Sequence, residues 1–397
     1  MRFARSVALA SLVVLAMACQ KKEAPAPAPA APAAAPAPAA PSNEILIGHV
    51  ASMTGEQATF GESTDNAIKL AIAEANAAGG VKGKKLVLKT YDDQGKPEEA
   101  AIAATRLIQQ DKVLVLLGEV ASSRSLAMAP IADANKVPMI SPTSTNPRVT
   151  KDGDKTRPYV FRVCFIDPFQ GTVMAKFAKE NLKLSKVAIL RDVGNDYSVG
   201  LADFFKKKFE EMGGTIVSDQ SFKAGDQDMK AQLTAIKGKK PEMIYVPAYY
   251  GDVALIGRQA KELGIKVPLS GGDGWDSAKL YEIAQGALDG GFFSNHYTDE
   301  NPDPIVQNFV KKYKDTYGAV PDALAALGYD AAMVAVDAMK RATELTGPAV
   351  RDAIEATKGF PGVAGVITLD ADHNAVKSAV VIGVVKNKPK YVATVNP

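Results

Sequence analysis

Between residues 44 and 269 the chain repeats one unit: a short apolar or β-branched run, then a stretch whose apolar residues recur every three or four positions. That alternation constrains the fold more than any other feature, because strands alternating with helices are the sequence pattern of a parallel sheet. The runs Ile45 to Val50, Leu86 to Tyr91, Val113 to Leu117 and Val137 to Ile140 read as strands, with helices expected over 65–78, 98–110 and 122–136. In the first helix Ala67, Ala71 and Ala75 stand four apart beside Ile68 and Ile72, which makes one apolar face, and Gly79-Gly80 supplies the stop. Val113 to Leu117 is apolar without interruption, as a parallel strand covered on both faces requires.

The pattern restarts at Val160. Strands are expected over 160–163, 187–190, 215–217, 243–246 and 267–269, and helices over 169–181, 199–212, 229–236 and 253–263. Helical spacing then dominates 304–357, and two β-like runs, 378–385 and 391–394, close the chain. A chain of 397 residues with 47% hydrophobic content exceeds what one core usually organises, so two α/β lobes with mainly parallel sheets are expected. No internal repeat of fixed period is visible.

The N-terminus reads separately. Arg2 and Arg5 precede an apolar stretch from Val7 to Ala18 that is too short for a spanning helix, so residues 1–18 are expected to be an export signal. Ala16-Met17-Ala18-Cys19 resembles a lipoprotein processing site, although leucine is usual where Ala16 stands; Cys19 is the expected lipidation site, with plain cleavage and secretion as the alternative. Residues 19–43 alternate Pro and Ala, a stiff polyproline-like tether. Removing the signal lowers the formal charge from +3 to +1, and no basic patch points to nucleic acid. Cys164 is the other cysteine and reads as a small buried hydrophobe; a lipidated Cys19 cannot pair with it, so the fold must stand without an intramolecular disulfide.

In open parallel sheets ligands bind beyond the carboxyl ends of the strands. Four loops there are unusual. Gly118 to Ser123 follows a buried strand and precedes a helix, where a serine hydroxyl and backbone N–H groups suit a carboxylate; Ser122 as a simple N-cap is the plainer reading. Ser141-Pro142-Thr143-Ser144-Thr145-Asn146-Pro147 presents three consecutive hydroxyls between prolines and could finish a carboxylate clamp, or be an ordinary polar turn. Gly271-Gly272-Asp273-Gly274-Trp275-Asp276 places an acid suited to an ammonium beside the single tryptophan; alternatively Asp273 bonds its own backbone and Trp275 fills core. The Tyr249-Tyr250 pair at a strand end either packs or walls a cleft.

Together these residues resemble the leucine/isoleucine/valine-binding proteins of ABC transporters, type I periplasmic solute-binding proteins. The resemblance spans about Ile45 to Asp370. It is carried by Ser52-Met53-Thr54-Gly55 with Phe60-Gly61, by Ala75 to Gly83, Tyr91-Asp92-Asp93, Ser122-Ser123, the Ser141-Pro142 loop, Asn195-Asp196-Tyr197, Tyr249 and Gly272-Asp273-Gly274. It implies two Rossmann-like lobes joined by three crossings near Arg162, Asn295 and Thr368, the first formed by 44–162 plus 296–368 and the second by 163–295 plus 369–397. It also assigns Ser122, Thr143 and Thr145 to a ligand carboxylate and Asp273 with Thr145 to its amine, with Ser123 beside them. Phe60 from the first lobe and Tyr197 and Tyr249 from the second would wall the pocket, and Trp275 would help select the side chain.

Three positions depart from the family pattern. Ala121 stands where a disulfide cysteine occurs in some members, Phe60 where tyrosine is typical, and Asp273 where some carry the longer glutamate. The expected protein is therefore a monomeric, exported, membrane-anchored binding protein that delivers an amino acid or related carboxylate to permease subunits, with no cofactor or metal. A serine hydrolase using Ser122 is disfavoured: no G-x-S-x-G, H-E-x-x-H, Walker or Rossmann motif occurs, and the histidines are the scattered His49, His296 and His373. A ligand-sensing module serving a separate receptor would use the same pocket.

Overall fold

The computed structural model describes residues 43–397; the expected signal, Cys19 and the tether as far as residue 42 lie outside the described residues. The chain enters on strand β1 (Glu44–Ala51), helix α1 (Ala58–Ala77), β2 (Lys85–Asp92), α2 (Pro97–Gln109), β3 (Val115–Leu117), α3 (Ser122–Asn135) and β4 (Met139–Ser141). A two-strand hairpin, β5 (Lys151–Asp152) and β6 (Lys155–Thr156), precedes β7 (Val160–Arg162). Five of these strands form one sheet in the order β2-β1-β3-β4-β7, every pair parallel.

The second run comprises α4 (Asp167–Lys176), β8 (Lys186–Asp192), α5 (Asp196–Glu211), β9 (Thr215–Phe222), α6 (Lys230–Gly238), β10 (Met243–Tyr245), α7 (Tyr250–Glu262), β11 (Leu269–Gly271), α8 (Ala278–Ala284) and β12 (Phe292–Asn295). Then come α9 (Pro304–Tyr317), α10 (Ala323–Arg341), α11 (Gly347–Glu355), a hairpin of β13 (Phe360–Gly362) and β14 (Gly365–Ile367), and finally β15 (Ala379–Val384) and β16 (Pro389–Val395). The larger sheet has the order β16-β15-β12-β11-β10-β8-β9, parallel from β12 to β9 and antiparallel where β15 and β16 join.

Packing assigns the late helices to the first sheet. Val306 and Phe309 of α9, Ala326 and Leu327 of α10 and Ile354 of α11 share one buried core with Ile45 and Ile47 of β1 and Ile68 of α1. Helices α1 and α10 approach closely because Gly328 has no side chain: a Cβ there would lie 2.9 Å from the Thr64 methyl. The other large core gathers β8, β10, α4, α5 and α7, with Phe205 stacked on Tyr245. The chain consequently passes between the sheets three times, after Arg162, after Asn295 and between Ile367 and Ala379.

Three expectations shift. Helix α1 starts at Ala58 rather than Asp65, drawing Phe60 and Gly61 into its first turns against the β1 end. Helix α5 starts at Asp196 rather than Val199, because the Asn195 side chain caps it by accepting the Tyr197 N–H at 2.9 Å. Strand β12, which leads into the second passage, was not expected at all: Phe-Phe-Ser-Asn has no β-branched residue, and the strand is held by pairing with β11 and β15.

Candidate ligand-binding site

The carboxyl ends of the strands converge where the two sheets face each other, and charge organises the first wall. Glu119, fully buried after β3, accepts from the Ser52 hydroxyl at 3.0 Å and the Ala121 N–H at 2.7 Å, and pairs with Arg124 at 2.9 Å. That buried pair fixes the turn entering α3, so the turn's geometry does not depend on a disulfide at Ala121.

Ser122 is the first residue of α3, not its cap. The N-cap position is Ala121, which offers no side-chain acceptor, so the first-turn N–H groups keep their capacity for an anion. The Ser122 hydroxyl accepts the Asn146 N–H at 3.2 Å, which ties the β4 loop to this turn. Thr143 donates to the Val120 carbonyl at 2.9 Å, and Ser141 donates to the Glu119 carbonyl at 2.8 Å. No imidazole is among the hydrogen-bond partners of Ser122 in the described residues.

The opposite wall is aromatic and acidic. Tyr197 and Tyr249 stack with ring centroids 5.3 Å apart, and Phe60 meets Tyr249 edge-on at 5.7 Å. The Tyr197 hydroxyl accepts the Gly274 N–H at 3.0 Å. Gly272 is required beside it, since a Cβ there would lie 2.5 Å from that hydroxyl. Asp273 is held by its backbone N–H, which donates to Gln170 at 2.8 Å, and by its Oδ2, which meets His296 Nε2 at 2.9 Å. Burial lowers the His296 pKa, so the ring is neutral and donates from Nε2 to the carboxylate. The remaining oxygen, Asp273 Oδ1, is buried and meets no donor among the described residues.

Between these walls lies a narrow cavity lined by Phe60, Val120, Ser122, Thr143, Tyr197, Tyr249, Asp273, Gly274 and Leu324. Its free volume is only about 20 Å3, space for about one water, so a ligand the size of an amino acid enters only as the two walls separate. Asp273 is the one charged residue of the lining. Contacts between the walls close it: Asp196 N–H donates to the Ser123 hydroxyl at 3.0 Å, Asn146 donates to the Asp196 carbonyl at 2.8 Å, and the Tyr250 hydroxyl donates to the Glu56 carbonyl at 2.7 Å.

Six expected residues thus meet in one lining: Ser122, Thr143, Asp273, Tyr197, Tyr249 and Phe60. Three do not. Ser123 holds the rim through Asp196 instead. Thr145 is buried outside this lining, its carbonyl accepting the Asp167 N–H at 2.9 Å. Trp275 is fully buried core, with its indole N–H donating to the Val246 carbonyl at 2.9 Å and its ring against Phe293, so its expected part in side-chain selection is corrected. Val120 and Leu324 were missed, as apolar residues in a loop and a helix start carry no signal that separates core from pocket. His296 was legible only as a lone histidine.

Comparison with known proteins agrees with this architecture. The periplasmic binding protein family matches residues 44–389. The Leu/Ile/Val-binding protein BraC3 of Rhizobium johnstonii is 32% identical over 336 residues, covering 82% of this chain and 87% of the relative. A crystal structure of a leucine-binding protein LivK from Thermotoga maritima superposes with a TM-score of 0.85 at 43% identity, covering 89% of this chain and 99% of that one. The branched-chain amino acid transporter substrate-binding protein LivJ from Streptococcus pneumoniae, in complex with isoleucine, gives a TM-score of 0.84 at 33% identity, covering 89% and 100%. With two lobes, mostly parallel sheets and that match over nearly all of the described residues, the chain belongs to the periplasmic binding protein family and has its type I fold.

Proposed function

We propose that the chain is the extracytoplasmic binding component of an ABC transporter, capturing a branched-chain or related α-amino acid by lobe closure and passing it to a membrane permease. The observation that carries this reading is the Asp273 carboxylate: buried, partnered on one oxygen by neutral His296, free on the other, and alone in charge within the lining. A buried anion with an open oxygen favours a cation. The uncapped start of α3 with the Ser122 hydroxyl favours a carboxylate in the same lining. An α-amino acid satisfies both, whereas a simple carboxylate leaves Asp273 unpaired.

The lobes we assign are 44–162 with 296–368 and 163–295 with 369–397, which the sheet membership and shared cores support. Phe60, Tyr249 and Leu324 would meet the ligand side chain. A monomer anchored by a lipid on Cys19 at the cell envelope completes the proposal; no helix among the described residues is long and apolar enough to cross a membrane. The chain would act by binding and not by catalysis.

A thermal-shift panel of all amino acids on protein refolded free of carried-over ligand tests the reading. At about 100 times its Kd a specific ligand adds roughly 2.7 kcal/mol of stability. Stabilisation by a few aliphatic amino acids is expected; a flat response, or stabilisation by amine-free acids alone, would reject it.

A further inference from the structure

A second cavity, of about 610 Å3, lies at the passages between the lobes and not in the cleft. His296 and Tyr297 from the second passage line it, with Val376 and Lys377 from the third, Val366 of β14 and Tyr391 of β16. Its size is that of an ordinary small-molecule site. Val366, Val376 and Tyr391 are 60%, 51% and 38% exposed, an apolar group around one opening.

Lys377 is the anomaly. It is 6% exposed, and its ammonium meets no hydrogen-bond acceptor among the described residues. The charge of Asp330 acts on Lys377, but its two oxygens accept the Val363 and Ala364 N–H groups at 2.7 and 2.8 Å, and no hydrogen bond joins it to the Lys377 ammonium. Burial lowers the Lys377 pKa to about 8 and raises that of Asp330 to about 6. Two more polar atoms of the lining, His296 Nδ1 and the Tyr297 hydroxyl, are also buried without partners. Three unsatisfied polar groups beside an apolar-rimmed cavity are costly unless something completes them.

We propose that this hinge cavity is a second ligand site, taking a small organic carboxylate whose anion pairs with Lys377 and whose apolar body lies against Val366, Val376 and Tyr391. The lining also holds Glu300 and the polar Thr298, Asn301, Ser378 and Thr394, so Lys377 is the one cation for an anion here; that suits a singly charged carboxylate better than a phosphate, which would need more donors. The site is built from both lobes' passages, so its occupant spans the segments that move on closure. It also touches the amino-acid site through one residue: His296 lines this cavity and holds Asp273 through Nε2. Any coupling between the two occupants would run through this residue and act equally in both directions.

The test uses the full protein stripped of ligand, with octanoate as probe and 1-octanol as its uncharged counterpart, titrated calorimetrically with and without saturating leucine. Saturable octanoate binding that persists under leucine is expected, weakened at least tenfold in Lys377→Met while 1-octanol binding and leucine binding stay within about threefold. Val376→Glu, at an exposed position of the lining, should block octanoate with Lys377 in place, which covers the case of a poorly folded Lys377→Met. Octanoate displaced competitively by leucine, unchanged by both variants, or showing no saturable binding would overturn the proposal. The site does not depend on the amino-acid reading: leucine failing while octanoate binds would sink that reading and leave this one, and the reverse would sink this one alone.

Discussion

Replacing Asp273 with Asn removes the charge of the cleft and little else. The loop is held by the Asp273 N–H on Gln170 and by Tyr197 on the Gly274 N–H, neither of which uses the carboxylate. The amide oxygen can still accept from His296, which leaves the –NH2 group on the side of the former Oδ1. There it meets a ligand ammonium donor to donor. Truncating one partner of a buried, hydrogen-bonded charge pair costs about 2 to 5 kcal/mol, or roughly 30- to 5,000-fold in Kd. Calorimetric titration with leucine and with 4-methylpentanoate, the same skeleton without the amine, separates the charge effect from general damage. Leucine should lose affinity within that range, and 4-methylpentanoate, which leaves the wild-type carboxylate unpaired, should bind no worse and gain if anything. Equal losses for both ligands would refute the assignment of Asp273 to the amine.

Other perturbations should leave different signatures. Ser122→Ala removes a hydroxyl donor from the carboxylate end, worth about 1.5 to 3 kcal/mol toward a charged group, so leucine and 4-methylpentanoate should weaken alike by titration; unaltered affinity would place the carboxylate elsewhere. Trp275→Ala should cost about 3 to 5 kcal/mol in urea unfolding, as it empties core and leaves the Val246 carbonyl only the Ala248 N–H; a loss confined to affinity would return Trp275 to the pocket. Burial, reinforced by the charge of Asp273, pushes the Asp167 carboxyl up to about 8, so between about pH 4 and pH 8 the folded chain holds a proton that the unfolded chain has released. Stability from this group is thus present at low pH and falls as pH rises through that window, and Asp167→Asn should flatten the decline in urea midpoint from pH 5.5 to 8.5. A slope equal to that of the wild type would contradict it.

The lobes were legible because strand and helix periods differ, and buried runs such as Val113 to Leu117 tolerate no polar residue. The order of loops after those strands located the cleft as well. Direction within a loop was not legible. Asp273 and Trp275 are two residues apart on one turn, yet the acid faces the cavity and the indole turns into the core, because the Val246 carbonyl that receives it lies 29 residues earlier in the chain. Thr143 and Thr145 separate for a similar reason: Thr143 is drawn to the Val120 carbonyl, while Thr145 is tied by its own carbonyl to Asp167 across the first passage. The role of His296 depends on Asp273, and that of Glu119 in part on Ser52, partners remote in sequence.

The most direct measurement is a crystal structure of the stripped protein grown with the amino acid that stabilises it best. The expected density lies between the lobes, with the ammonium on Asp273 Oδ1, the carboxylate at Ser122 and the start of α3, and the side chain among Phe60, Tyr249 and Leu324. An amino acid bound in the reverse sense, or bound outside the cleft with Asp273 Oδ1 still unpaired, would contradict capture by these residues.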